Sequence, residues 1–139
     1  MKILEVVFTL RPGGAERFAV DLTNELSKTN AVTIMAIKDD SVEPEQDLFY
    51  ASELADRVTY KNVGIGKGYS VHKVITIYKA IKKEKADIVH LHGNKMPYYC
   101  ILAIFLLNRK LKFYQTIHND IHNGYDSLFY RFLVKTVGY

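Results

Sequence analysis

Residues 2–8 (KILEVVF) form a nearly continuous apolar run rich in branched side chains, the pattern of a parallel strand buried on both faces. From residue 14 to about 28 the period changes. Ala15, Phe18, Ala19, Leu22 and Leu26 recur every three or four residues and predict an amphipathic helix. Residues 31–37 (AVTIMAI) predict a second strand, 38–45 a polar loop containing Pro44, and 46–54 a short helix. Residues 57–63 (RVTYKNV) alternate and predict a third, more exposed strand, closed by a turn at Gly64, Gly66 and Gly68. The next helix has Val71, Val74, Ile75, Tyr78 and Ile81 on its apolar face and Lys73, Lys79, Lys82 and Lys83 opposite. Residues 87–91 predict a fourth strand, 96–107 a helix and 111–117 a fifth strand. A loop at 118–124 then leads into a last helix from Tyr125, with Leu128, Phe129, Phe132 and Leu133 on its apolar side.

Strands alternating with helices predict right-handed crossovers and a parallel sheet covered on both faces. The expected fold is α/β, a Rossmann-like doubly wound sheet with strand order 3-2-1-4-5. The 139 residues suit one domain, and 1–139 is read as a single one. The sequence stops soon after its last helix with no closing strand, so a truncated chain is expected.

Composition narrows the function classes. Hydrophobic residues at 48% and charged residues at 24% exclude long disorder. A net charge of +4, with acidic residues mixed throughout, is too weak to argue for nucleic acid, but it leaves room for attraction to anionic membranes or phosphorylated ligands. Cys100 is the one cysteine, so no internal disulfide forms and a reducing compartment is the simpler reading. The N-terminus lacks a signal peptide's cleavage region. The longest apolar stretch, residues 96–107, contains Pro97 and falls short of the roughly 20 residues a bilayer requires. The expected location is the cytoplasm, with peripheral contact at the inner membrane face left open.

Ligands of such sheets bind outside the carboxyl ends of the strands, where the strand order reverses. Three loops gather there: residues 9–16 (TLRPGGAE), 92–95 (HGNK) and 118–123 (HNDIHN). Of the 5 histidines, all but His72 lie in or beside them. The Pro12-Gly13-Gly14 turn lets backbone approach a ligand and opens a helix whose first N–H groups are unpaired, which suits a phosphate. A tight strand-to-helix turn with no ligand explains the same residues. The spacing is not G-x-G-x-x-G, Ile37-Lys38 stands where an acidic residue would read a ribose, and no Gly-Lys-Ser/Thr ending makes a P-loop.

His90 and His92 lie two apart on a strand and share a face. His90 is expected inside the sheet as a hydrogen-bonded core residue, and His92 and His118 facing the crevice. With His118 and His122 they make a conceivable metal set, but no regular element gathers all four, and no metal is expected. Cys100 reads as a core thiol. Lys95, Tyr98 and Tyr99 are placed equally well for ligand contact or for packing. The lysines between 79 and 85 read as a solvated helix face, with membrane contact as the alternative.

Three segments resemble glycosyltransferase family 4, of the GT-B fold: ILEVVFTLRPGGAERFAVDLTNEL at 3–26, ADIVHLHGN at 86–94 and FYQTIHN at 113–119. The likeness runs in order along the whole chain and implies the N-terminal, acceptor-side domain of a retaining sugar transferase. By that likeness, the backbone at Gly13 and Gly14 would approach the diphosphate of a nucleotide-sugar. Glu16, His92, Asn94, His118 and Asn119 would line the acceptor pocket, with His118 beside the reacting sugar as the catalytic candidate. The family generally needs no metal or other cofactor. It works by same-face attack of an acceptor hydroxyl, with protein groups stabilising the departing nucleotide diphosphate. The implied partners are a nucleotide-sugar, a glycan or lipid-linked acceptor, and a C-terminal domain of the same protein that holds most donor contacts. The Glu-x7-Glu motif of that second domain has a counterpart in spacing at Glu45 and Glu53, which lies in the wrong half and reads as coincidence.

Two other classes stay in view. A stand-alone Rossmann-like binding module, or one subunit of a split transferase, would use the same fold without completing a reaction. A histidine-metal hydrolase would use the histidine loops differently.

Overall fold

The computed structural model describes residues 1–38, 49–107 and 110–118. Its elements are β1 (Lys2–Val7), α1 (Gly14–Leu26), β2 (Ala31–Ala36), a 3₁₀ turn (Phe49–Glu53), β3 (Thr59–Asn62), α2 (Val71–Glu84), β4 (Ile88–His92), α3 (Met96–Tyr99), α4 (Ile101–Leu107) and β5 (Lys112–Thr116). All strand pairings are parallel and the order is β3-β2-β1-β4-β5, as the alternation predicts. The chain is thus an α/β, Rossmann-like sheet. The last helix expected from Tyr125 and most of the polar loop at 38–45 lie outside the described residues.

Period-two alternation explains why β1 reads as apolar throughout: both of its faces are covered. Leu4 and Val6, with Met35, Val89, Leu91 and Phe113, meet α2, α3 and α4 through Ile77, Ile81, Met96, Cys100 and Ile104. On the other face Val7, Ile34 and Ala36 pack on Ala19 and Val20 of α1 and on Leu10. β3, at the edge, has no fully buried residue, which accounts for its alternating, polar sequence.

Four expectations need correction. The buried line of α2 is Val74, Ile77, Ile81 and Glu84, while Val71 and Ile75 are exposed. Val74, Ile75, Ile77 and Tyr78 fit two neighbouring helical stripes, and only contact with the sheet chooses between them. In α1, Ala19 is buried as expected, but Phe18 is 46% exposed and burial extends to Val20 and Thr23 instead. The helix expected over 96–107 is interrupted at Cys100, whose ψ of 8° leaves the helical range. Before the break Tyr99 turns edge-on to Phe8, and after it Ala103, Ile104 and Leu107 join the core. The short helix expected at 46–54 appears, within the described residues, as the single 3₁₀ turn.

The lysine face of α2 is solvated, as expected: Lys79, Lys82 and Lys83 are exposed. No helix among the described residues is long and apolar enough to cross a membrane.

Candidate functional site

The site is assembled by strand register. β1 and β4 pair with Glu5 opposite His90, and β4 and β5 pair with His92 opposite Thr116. Because alternate residues share a face, Glu5, His90, His92 and Thr116 project together on the α1 side of the sheet. Glu5 Oε2 accepts from His90 Nδ1 at 2.9 Å and from His92 Nε2 at 2.6 Å. His90 Nε2 lies 2.8 Å from the Thr116 hydroxyl. Glu5 is 0% exposed and the His92 side chain 2%, so water cannot replace these bonds. The other carboxylate oxygen, Oε1, is buried and meets no hydrogen-bond partner among the described residues.

Burial by itself would raise the Glu5 pKa. The hydrogen bonds from His90 and His92, joined in acid by the charge those rings carry when protonated, outweigh it and hold the carboxyl below the ordinary 4.5.

His118, just beyond the end of β5, completes the row. Its Nε2 lies 3.4 Å from His92 Nδ1. The two rings are within 19° of parallel with centroids 5.7 Å apart, which is the N···N distance plus two ring radii, so the nitrogens point at each other edge to edge. Phe18 of α1 sets its ring edge against His118 at 5.2 Å and also touches His92. This is why Phe18 is missing from the core. Burial, and after it the charge that His92 and His90 carry when protonated, lowers the His118 pKa below 6.5. The imidazole therefore stays neutral further into acid than a free histidine.

The expected site residues divide as follows. His92 is the last residue of β4 rather than part of the following loop, and it lies beneath His118 instead of opening to the crevice. It still lines a small cavity of about 60 Å³ with Phe8, Glu16 and Gly93. Gly93 turns the chain there at φ +99°, a left-handed conformation that an L side chain rarely adopts. Asn94 is half-buried in the turn before α3. Gly13 caps α1 in extended conformation, and a Cβ at that position would run into the Glu16 carboxylate, which folds back over it. Gly14 is exposed and open, with nothing within 4 Å of where its Cβ would stand. The sheet thus brings His92 and His118 into contact, with Glu16 and Gly93 beside His92. Asn119 and His122 lie outside the described residues.

Two participants escape the motif reading. Glu5 sits in an apolar run, and Thr116 in an ordinary strand. The signal for Glu5 was the run itself: a carboxylate in the middle of a strand buried on both faces must find a partner.

The donor atoms of Glu5, His90 and His92 all lie within 4.8 Å of one another. The contacts of 2.6 and 2.9 Å are hydrogen-bond lengths. Two nitrogen or oxygen ligands around tetrahedral zinc would stand about 3.3 Å apart. The cluster is built as a hydrogen-bonded carboxylate–imidazole network. Cys100 is buried, and burial pushes its thiol up to about 12, so it is a core thiol. A larger, open cavity of about 460 Å³ is lined by Tyr69, Lys95, Tyr98 and Tyr99. Tyr99 joins it to the strand ends through its edge contact with Phe8.

A five-stranded doubly wound sheet, with a polar cluster that runs from the middle of β1 and β4 to the carboxyl ends of β4 and β5, defines a Rossmann-like domain. The chain belongs to glycosyltransferase family 4. The model of that family, described as Glycosyltransferase Family 4, matches residues 12–137 and so includes the glycine turn, β4 and β5. No curated protein matches the chain. The domain is therefore a glycosyltransferase-type domain of the GT-B class.

Proposed function

We propose that this domain is the acceptor side of a retaining glycosyltransferase, moving a sugar from a nucleotide-sugar to a glycan or lipid-linked acceptor. The observation that carries the reading is His118, seated on His92 and Phe18 at the strand ends of a family 4 chain, beside the helix that the Pro-Gly-Gly turn opens. In the transfer, the acceptor hydroxyl oxygen bonds to the anomeric carbon on the face from which the diphosphate departs. The bond from that carbon to the diphosphate oxygen breaks and its electron pair leaves with the diphosphate. The acceptor's proton passes to a departing phosphate oxygen. No protein nucleophile and no metal is required by this scheme.

The chain's part is positioning and electrostatic stabilisation. His118 stands beside the reacting sugar and holds one of its hydroxyls. Glu16 and Asn94 line the acceptor side, His92 supports it from beneath His118, and the family likeness assigns Asn119 to the same side. The backbone at Gly13 and Gly14 approaches the diphosphate, and Gly14 is the open approach because the Glu16 carboxylate covers Gly13. The cavity lined by Tyr69, Lys95, Tyr98 and Tyr99 offers the acceptor aromatic faces and one cation. A second Rossmann-like domain would hold the nucleotide, and the reaction would run in the cytoplasm.

The test is His118→Ala, assayed with the donor-binding domain present. Turnover is expected to fall about a hundredfold or more, and unchanged turnover would remove His118 from the reaction centre. Micromolar binding of a nucleotide-sugar by these 139 residues alone would overturn the division of labour. A product whose anomeric configuration is inverted would overturn the retaining course.

A further inference from the structure

We propose that Glu5 is a positioning residue: it sets the tautomer of His92 and, through His92, that of His118, so that His118 presents Nδ1 to the crevice as a hydrogen-bond acceptor. The use made of His118 rests on the sugar-transfer reading. The tautomers themselves do not.

The argument follows the donors and acceptors. An ionised carboxylate only accepts. Both nitrogens that meet Glu5 Oε2, His90 Nδ1 and His92 Nε2, must therefore carry hydrogen. That leaves His90 Nε2 to accept from the Thr116 hydroxyl at 2.8 Å. It leaves His92 Nδ1 as an acceptor, and the ring nitrogen aimed at it is His118 Nε2. His118 then donates from Nε2 and keeps its Nδ1 lone pair. Each contact in this chain has one donor and one acceptor, with a single proton on every imidazole.

The tautomer of a histidine is set by the bond its other nitrogen makes, and here no competing water reaches the first two members of the row. The opposite arrangement is equally definite. Were His92 protonated at both nitrogens, His118 Nε2 would have to accept, and His118 would show N–H at Nδ1 to the crevice. A sugar hydroxyl would then meet a donor where the proposed arrangement offers an acceptor.

The experiment is long-range proton–nitrogen NMR on the chain with nitrogen-15 histidine, at neutral pH and without substrate. His92 and His118 are expected to carry hydrogen at Nε2 and His90 at Nδ1. Hydrogen on His118 Nδ1, or on both nitrogens of His92, overturns the proposal. Two variants separate positioning from mere support. Glu5→Gln should collapse the separation between the two His118 nitrogen shifts toward a tautomer mixture. Thr116→Val removes only the partner of His90 and should leave the His118 shifts in place. Equal loss in both variants would mean general loosening and would also overturn it. If Glu5→Gln does not fold, the wild-type pattern together with Thr116→Val decides. Should the tautomers come out as stated while Glu5→Gln transfers sugar at the wild-type rate, the use of His118 in transfer fails and the positioning by Glu5 stands.

Discussion

Glu5 of β1 and His92 of β4 meet at 2.6 Å, Oε2 to Nε2, with both side chains shut away from water. A carboxylate in the centre of a parallel sheet is costly unless paired, and this one is paired with two imidazoles that lead outward to His118. The same contact stabilises the fold and fixes the geometry of the site.

Its pH dependence follows from the direction of the Glu5 shift. The folded pKa lies below the ordinary 4.5, so the unfolded chain takes up the proton first as pH falls. The stabilisation is complete above 4.5 and is lost as pH drops through the folded value. Glu5→Gln should therefore melt well below the wild type at pH 7, with the gap closing as pH falls below about 4.5. Thermal melts of both proteins across that range check it, and a gap independent of pH would contradict it.

His118 has the opposite charge logic. With its folded pKa below 6.5, the unfolded state gains the proton first, so acidification through that range works against folding at this residue. If the neutral ring is the working form, the acid limb of kcat/KM lies below pH 6.5. An NMR titration of His118 with its midpoint at or above 6.5 would refute both statements.

Gly13 is not required by its backbone conformation, since its φ of −176° is open to any residue. A methyl there would meet only the end of the flexible Glu16 side chain, which can swing aside. Gly13→Ala should therefore cost at most about 1 kcal/mol, the ordinary difference between the two residues at a helix N-cap, and adding Glu16→Ala should recover little of it. Urea melts of the single and double variants check this, and a coupling above about 1 kcal/mol would show instead that the carboxylate is held in place.

The stripe chosen by α2 is open to a direct comparison. Ile77 is 0% exposed and Val71 is 72% exposed. Ile77→Ala should cost about 2–5 kcal/mol, and Val71→Ala should stay within about 0.5 kcal/mol. Comparable losses in the two variants would show Val71 to be buried as well and contradict the exposed position the structure gives it.

The strand order, the two covered faces and the clustering of histidines at the strand ends were legible because each depends on local period and on the β/α alternation. His90 and His92 share a face wherever that strand is paired. Glu5 was legible only as an anomaly in an apolar run. Its partners lie 85 and 87 positions along the chain, and no local pattern carries that distance. The α2 stripe was legible only in part for a similar reason: Val74 and Ile81 are buried as expected, but Val71 and Ile75 are exposed and Ile77 is buried in their place. Helical period allows Val71-Ile75-Tyr78 as readily as Val74-Ile77-Ile81, and the difference is which line meets the sheet.

By itself the sequence determined a doubly wound α/β chain with a phosphate-suited glycine turn and a histidine pair on one face, since hydrophobic period and turn chemistry are local properties. Only the tertiary structure decided that Glu5, His92 and His118 form one row, that Phe18 leaves the core to flank it, and that Glu16 covers Gly13. Parallel pairing sets those neighbours, because the register of β1 against β4 and of β4 against β5 brings distant residues within hydrogen-bond reach.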